Sequence, residues 1–191
     1  RLNALLDSDG QTFAAGERQS RGVRRKIVFV FSGHGSQWLG MGRSLFQTEP
    51  AFRSAIEECD RAIQAEAGWS VLEILQASPG APEMERVDIV QPLLFSMGVA
   101  LARLWRFLGI EPDAVVGHSM GEVAAAFISG ALSLEDAVRV ICTRSRLLLA
   151  EACKGAMAVV ELSPDAAERA IAGYGARLAV AAVNGPRTAV L

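Results

Sequence analysis

Cysteine, histidine and net charge are all scarce in this chain, and each scarcity excludes something. The three cysteines, Cys59, Cys142 and Cys153, lie far apart in 191 residues. They match no metal-ligand spacing and suggest no disulfide framework, so no metal is expected. A reducing, cytoplasmic setting is the default expectation. Only two histidines, His34 and His118, are present. A net charge of −2 argues against nucleic acid as a partner, since such surfaces are usually strongly basic. The one basic cluster, Arg21, Arg24, Arg25 and Lys26, reads as a solvated entry to the first strand. No uninterrupted apolar run reaches membrane-spanning length and no signal-peptide pattern opens the chain, so no membrane association is expected.

What is abundant is apolar surface. The chain is 51% hydrophobic and 21% charged, which predicts a large buried core in one domain, or one and a half. It begins at Arg1 and ends inside an apolar run, Thr188 to Leu191. Domains seldom stop in mid-strand, so the expectation is a piece of a longer protein.

Residues 1–25 are polar and read as a linker from a preceding domain. Ile27 to Phe31 is a β-branched and aromatic run, predicting a buried strand, followed by a glycine-rich loop from Gly33 to Gly42. Helices are predicted over Pro50–Glu66 and Val71–Gln76, then a loop at Pro79, Gly80 and Pro82. Asp88 with Gln91 makes a capping-box-like pair, with Pro92 in the first turn of a helix that stays apolar on nearly every side to Leu108 and stops at Gly109. Ala114 to Gly117 predicts a second buried strand. Ser133 caps a helix to about Ala152. Beyond it come a strand over Met157–Leu162, a helix from Ser163-Pro164 to about Gly173, a strand over Leu178–Val183, a turn at Asn184-Gly185-Pro186 and a last strand from Thr188. The order predicts an α/β region with a parallel sheet, then the start of a smaller α+β piece.

The stretch that carries chemistry is Gly117-His118-Ser119-Met120-Gly121. A serine between two glycines, directly after an apolar run and directly before a helical one, is the setting of a nucleophile elbow. The tight turn lifts the serine oxygen clear and leaves the next backbone N–H to stabilise an oxyanion. Ser119 is the candidate nucleophile and the Met120 N–H the first oxyanion donor.

With these residues in hand the chain resembles a known family. Phe31 to Gly42 reads FSGHGSQWLGMG, Gln91-Pro92 opens the apolar helix, Gly117 to Glu122 reads GHSMGE, and Arg144 lies in the following helix. Together they resemble the acyltransferase domain of modular type I polyketide synthases, related to malonyl-CoA:acyl-carrier-protein transacylases. The resemblance covers roughly residues 26–191. It implies an α/β-hydrolase-like core with an inserted ferredoxin-like small subdomain. Residues 26–154 would be an incomplete core and 155–191 the first part of the insert.

The resemblance also implies a reaction. Ser119 would take an acyl group from acyl-CoA as an ester and pass it to the phosphopantetheine thiol of an acyl carrier protein, with no bound cofactor. Ketosynthase and other synthase domains would be its neighbours. The second oxyanion donor would be the backbone N–H at position 34, where the family usually has glutamine and this chain has His34. Arg144 would pair with the free carboxylate of a malonyl-type group, for which a planar, permanently charged guanidinium is suited. Gln91 would help arrange the substrate, and can at the same time cap its own helix. His118 is placed with Arg144 and Gln91 at the substrate pocket, a packing or loop-fixing role staying open. A serine needs a base; neighbours in a tight turn tend to point apart, which disfavours His118, and His34 could reach from the adjacent loop. The family's histidine lies well downstream, here past Leu191. Arg86 to Gln91 resembles the stretch found in methylmalonyl-selecting domains, so methylmalonyl is favoured over malonyl. A serine hydrolase on the same core, and a non-catalytic fragment, are the alternatives.

Overall fold

β1 (Val28–Phe31) and β2 (Ala114–Gly117) run parallel, pairing Val28 with Ala114 through Phe31 with Gly117. The computed structural model describes residues 26–76, 86–151 and 155–191. The predicted linker at 1–25, the loop at Pro79, Gly80 and Pro82, and Cys153 lie outside the described residues. Between the two strands come α1 (Arg43–Thr48), α2 (Pro50–Ala67), α3 (Val71–Gln76) and α4 (Val87–Phe107). After β2 come α5 (Gly121–Ile128) and α6 (Leu134–Glu151).

The core is a helical layer laid against one face of the strand pair. α4 packs against α2, α5 and α6, and its Val90, Leu93, Phe95, Val99 and Ala100 are fully buried. Phe52, Ile56 and Ile63 of α2 and Val138 and Ile141 of α6 meet it. Each large side chain so buried contributes about 1.5–3 kcal/mol. α4 is long and apolar enough to cross a membrane by length and composition, but it is mostly buried inside the protein. The expectation of a helix enclosed on nearly every side holds for its middle. Leu101, Trp105, Phe107 and Leu108 towards its end are exposed. Arg103 of α4 forms a bidentate ion pair with Glu58 of α2 and lies over the Phe127 ring at 5.5 Å. The guanidinium holds the Glu58 carboxyl below its ordinary range. Burial pushes the Cys59 thiol up to about 12 and the Cys142 thiol up to about 11.

Several predicted details change. Both strands were expected to be buried, yet Val30 is 71% exposed and Val116 53%. Among the described residues the parallel sheet has two strands and helices on one face only, so Phe29, Phe31 and Val115 turn inward and the alternate residues face out. Asp88 does not cap α4. The helix starts one residue earlier, at Val87, and Asp88 instead pairs with Arg86 at 2.7 Å. Pro92 is therefore inside the helix rather than in its first turn. Ser133 caps α6 as expected, its Oγ accepting from the Asp136 N–H at 3.0 Å.

Residues 155–191 form β3 (Val159–Val160), α7 (Pro164–Ile171), a 3-10 stretch (Ala172–Arg177), β4 (Ala182–Gly185) and β5 (Thr188–Val190). Ser163 caps α7, accepting from the Ala166 N–H. The strand order is β3-β5-β4, all antiparallel. β3 is shorter than predicted. β4 starts later and includes Asn184 and Gly185, because the tight turn is Pro186-Arg187 and the register shifts between Val183 and Gly185.

Candidate active site

The elbow is built by steric necessity. Ser119 is, among the described residues, the one non-glycine with positive φ, at 53°. That left-handed conformation costs an L-residue free energy and survives where its surroundings enforce it. They do. The His118 N–H donates to the Phe31 carbonyl at 2.9 Å, and the Gly121 N–H returns to the His118 carbonyl at 2.9 Å. A Cβ on Gly117 would overlap the backbone of Glu122, and one on Gly121 would overlap the Phe31 carbonyl. Both glycines of the motif are thus required by backbone meeting backbone. Ser119 itself is exposed, at the end of β2 and just before α5.

One residue from another helix reaches it, and a second holds that one. Arg144 of α6 donates from one terminal nitrogen to Ser119 Oγ at 3.2 Å. Its other terminal nitrogen donates to Oε1 of Gln91, which is buried in α4. Gln91 thus ties α4 to the arginine that meets Ser119. Arg146, two residues on, faces the opposite way and pairs with Glu66 of α2 at 3.1 Å. The shared helix carries one arginine for the serine and one for a solvent-exposed pair with α2.

Neither histidine bonds to the serine. His118 directs Nε2 to Asn184 Oδ1 of β4 at 3.1 Å, and its ring lies against Gly33, where an added Cβ would sit 2.8 Å from Nδ1. His34 is exposed on the loop after β1. That loop touches the elbow through Phe31, Ser32 and Gly33. Met120 is 2% exposed and packs in the core, which leaves its backbone for the site at the head of α5. A cavity of about 530 Å³ between β1 and α4, lined by Phe31, Trp38, Met97, Trp105 and Met120, does not include Ser119, Arg144 or Gln91. The described residues contain no acidic, cysteine or histidine cluster able to hold a metal ion.

The Asn184 contact was missed from sequence. It joins residues 66 apart, and Asn184-Gly185-Pro186 reads only as a turn.

What the arrangement can do is present a strained serine hydroxyl beside a fixed guanidinium and helix-head N–H groups. That defines an α/β protein with a serine on a strand–turn–helix elbow, suited to acyl chemistry. Residues 28–191 match the acyl transferase domain family, and the chain belongs to it. It is 49% identical over 166 residues to mycoketide-CoA synthase of Mycobacterium tuberculosis, covering 87% of this chain and 4% of that protein. A loading acyltransferase from the avermectin modular polyketide synthase superposes with a TM-score of 0.80 at 49% identity, covering 86% of this chain and 53% of that one. The malonyl-CoA:ACP transacylase of Synechocystis sp. PCC 6803 superposes at 0.74 with 28% identity, over 87% and 54%. The chain thus spans about half of each of these two solved chains.

Proposed function

We propose that this chain is the serine-bearing part of an acyltransferase that loads an extender acyl group onto an acyl carrier protein in a polyketide synthase. Ser119 Oγ attacks the thioester carbonyl of an acyl-CoA, giving up its proton to a base, and CoA leaves as the protonated thiol. The acyl-serine ester is then attacked by the carrier's phosphopantetheine thiol, and Ser119 regains its proton. The oxyanion of each half meets the backbone N–H groups of Met120 and His34. The base belongs to a part of the protein outside these residues. This chain covers 53% and 54% of the two solved chains, which supports that assignment.

The observation that carries the reading is the Gln91–Arg144–Ser119 chain of hydrogen bonds. A buried amide fixes a guanidinium beside the nucleophile, where a carboxylate on the acyl group would be held by charge-assisted bonds. The group is methylmalonyl or malonyl, with methylmalonyl favoured by the Arg86–Gln91 stretch. The order β3-α7-β4-β5, with β5 between β3 and β4, supports reading residues 155–191 as the start of a ferredoxin-like subdomain beside a hydrolase-like core at 26–154.

The test is loading of Ser119 in the full-length protein, read by mass spectrometry of the peptide that carries it. Ser119→Ala should carry no acyl group. Arg144→Ala should lower loading of malonyl-type groups roughly 10- to 100-fold, the worth of a charged hydrogen bond pair, and affect acetyl far less. Equal loss of both would remove the carboxylate role. Rapid release of free acid without a carrier would favour a hydrolase.

A further inference from the structure

His118 is held from both sides by parts of the chain that the elbow itself does not explain. Its backbone is tied to the Phe31 carbonyl, its ring presses on Gly33, and its Nε2 meets Asn184 Oδ1 at 3.1 Å. An amide oxygen can only accept, so this bond requires the proton on Nε2. Nδ1, the other ring nitrogen, is the ring atom closest to the place a Gly33 side chain would occupy. Asn184 sits where β4 shifts register against β5, and such irregularities re-aim a side chain out of the ladder.

We infer that Asn184 is a positioning residue: it locks the His118 ring across Gly33 and so fixes the loop that carries the His34 N–H beside Ser119. The small β3–β5 unit thereby helps shape the oxyanion site of the core. This rests on the acyl-transfer reading above for its kinetic consequence, but the lock itself is a matter of loop order.

Two measurements on the full-length protein test it. In single-turnover acylation, Asn184→Ala should slow the rate about tenfold with the KM for acyl-CoA unchanged, since Arg144 and Gln91 are untouched. His118→Ala should do the same, and the double variant should be no worse than either single one. Asn184→Asp, which keeps an acceptor for Nε2–H, should recover most of the rate. In hydrogen–deuterium exchange, the segment from Gly33 to Gln37 should exchange faster in both alanine variants, while the segment 178–191 stays as in the unmodified protein. Additive losses, a change in KM alone, or unaltered exchange at Gly33–Gln37 in Asn184→Ala would overturn the inference. If the unmodified protein takes no acyl group on Ser119, the functional reading fails, and the exchange result alone decides the lock.

Discussion

Glycines in two parts of this chain meet opposite surroundings. At the elbow, a methyl group on Gly117 or Gly121 would overlap neighbouring backbone. In the small unit, a methyl on Gly155 or Gly173 would meet open space. The same contrast runs through the packing. The elbow lies on a core of fully buried phenylalanine, isoleucine and valine, whereas the small unit buries Ala167, Ile171, Ala189 and Val190. Close packing is concentrated around the Ser119 turn, and the lighter unit meets it through the Asn184 amide.

That contrast can be broken or sharpened by substitution. Gly121→Ala should cost about 3 kcal/mol or more, because backbone must move to admit the methyl. Gly173→Ala should stay within about 0.5 kcal/mol. Urea denaturation of both variants measures the difference, and similar costs would erase the distinction between the two regions. A smaller effect separates the two arginines of α6. Arg146→Ala removes an exposed pair with Glu66 and should cost about 0.2–1 kcal/mol without altering acyl loading, unlike Arg144→Ala. A loading defect in Arg146→Ala would show that the two faces of α6 are coupled. The smallest effect is at the Glu58–Arg103 pair, which is partly open to solvent. Glu58→Gln should lose about 0.5 kcal/mol near pH 7. The Glu58 carboxyl is held below its unfolded value, so its contribution is complete above that value, about 4.3, and fades as the pH falls through the lower folded one. The gap between the two proteins should therefore close in acid. A gap that widened there would exclude the ion pair as its cause.

The turn that carries Ser119 was legible in the chain because its logic is local. Gly117 to Gly121 announces the elbow, since tight turns select residues within five positions. Ser133 and Ser163 mark helix starts for the same reason, each accepting from an N–H three residues on. What was not legible depends on partners distant in sequence. The bond between Gln91 and the Arg144 guanidinium forms only once α6 is packed against α4. Asp88 looks like a cap until Arg86 takes its carboxylate. The outward face of β1 and β2 carries valines that composition alone reads as interior. Register is similar: the shift at Asn184 follows from how β4 meets β5, and no short window encodes it.

The two buried thiols acquire a meaning beside this chemistry. In the acyl transfer proposed above, the group passes from sulfur to oxygen to sulfur, and a thiolate able to reach it would be a rival acceptor. Cys59 and Cys142, enclosed in the helical layer and shifted to about 12 and about 11, hold almost no thiolate at neutral pH. The helical layer that holds Gln91 beside Arg144 thus also keeps these two sulfurs protonated.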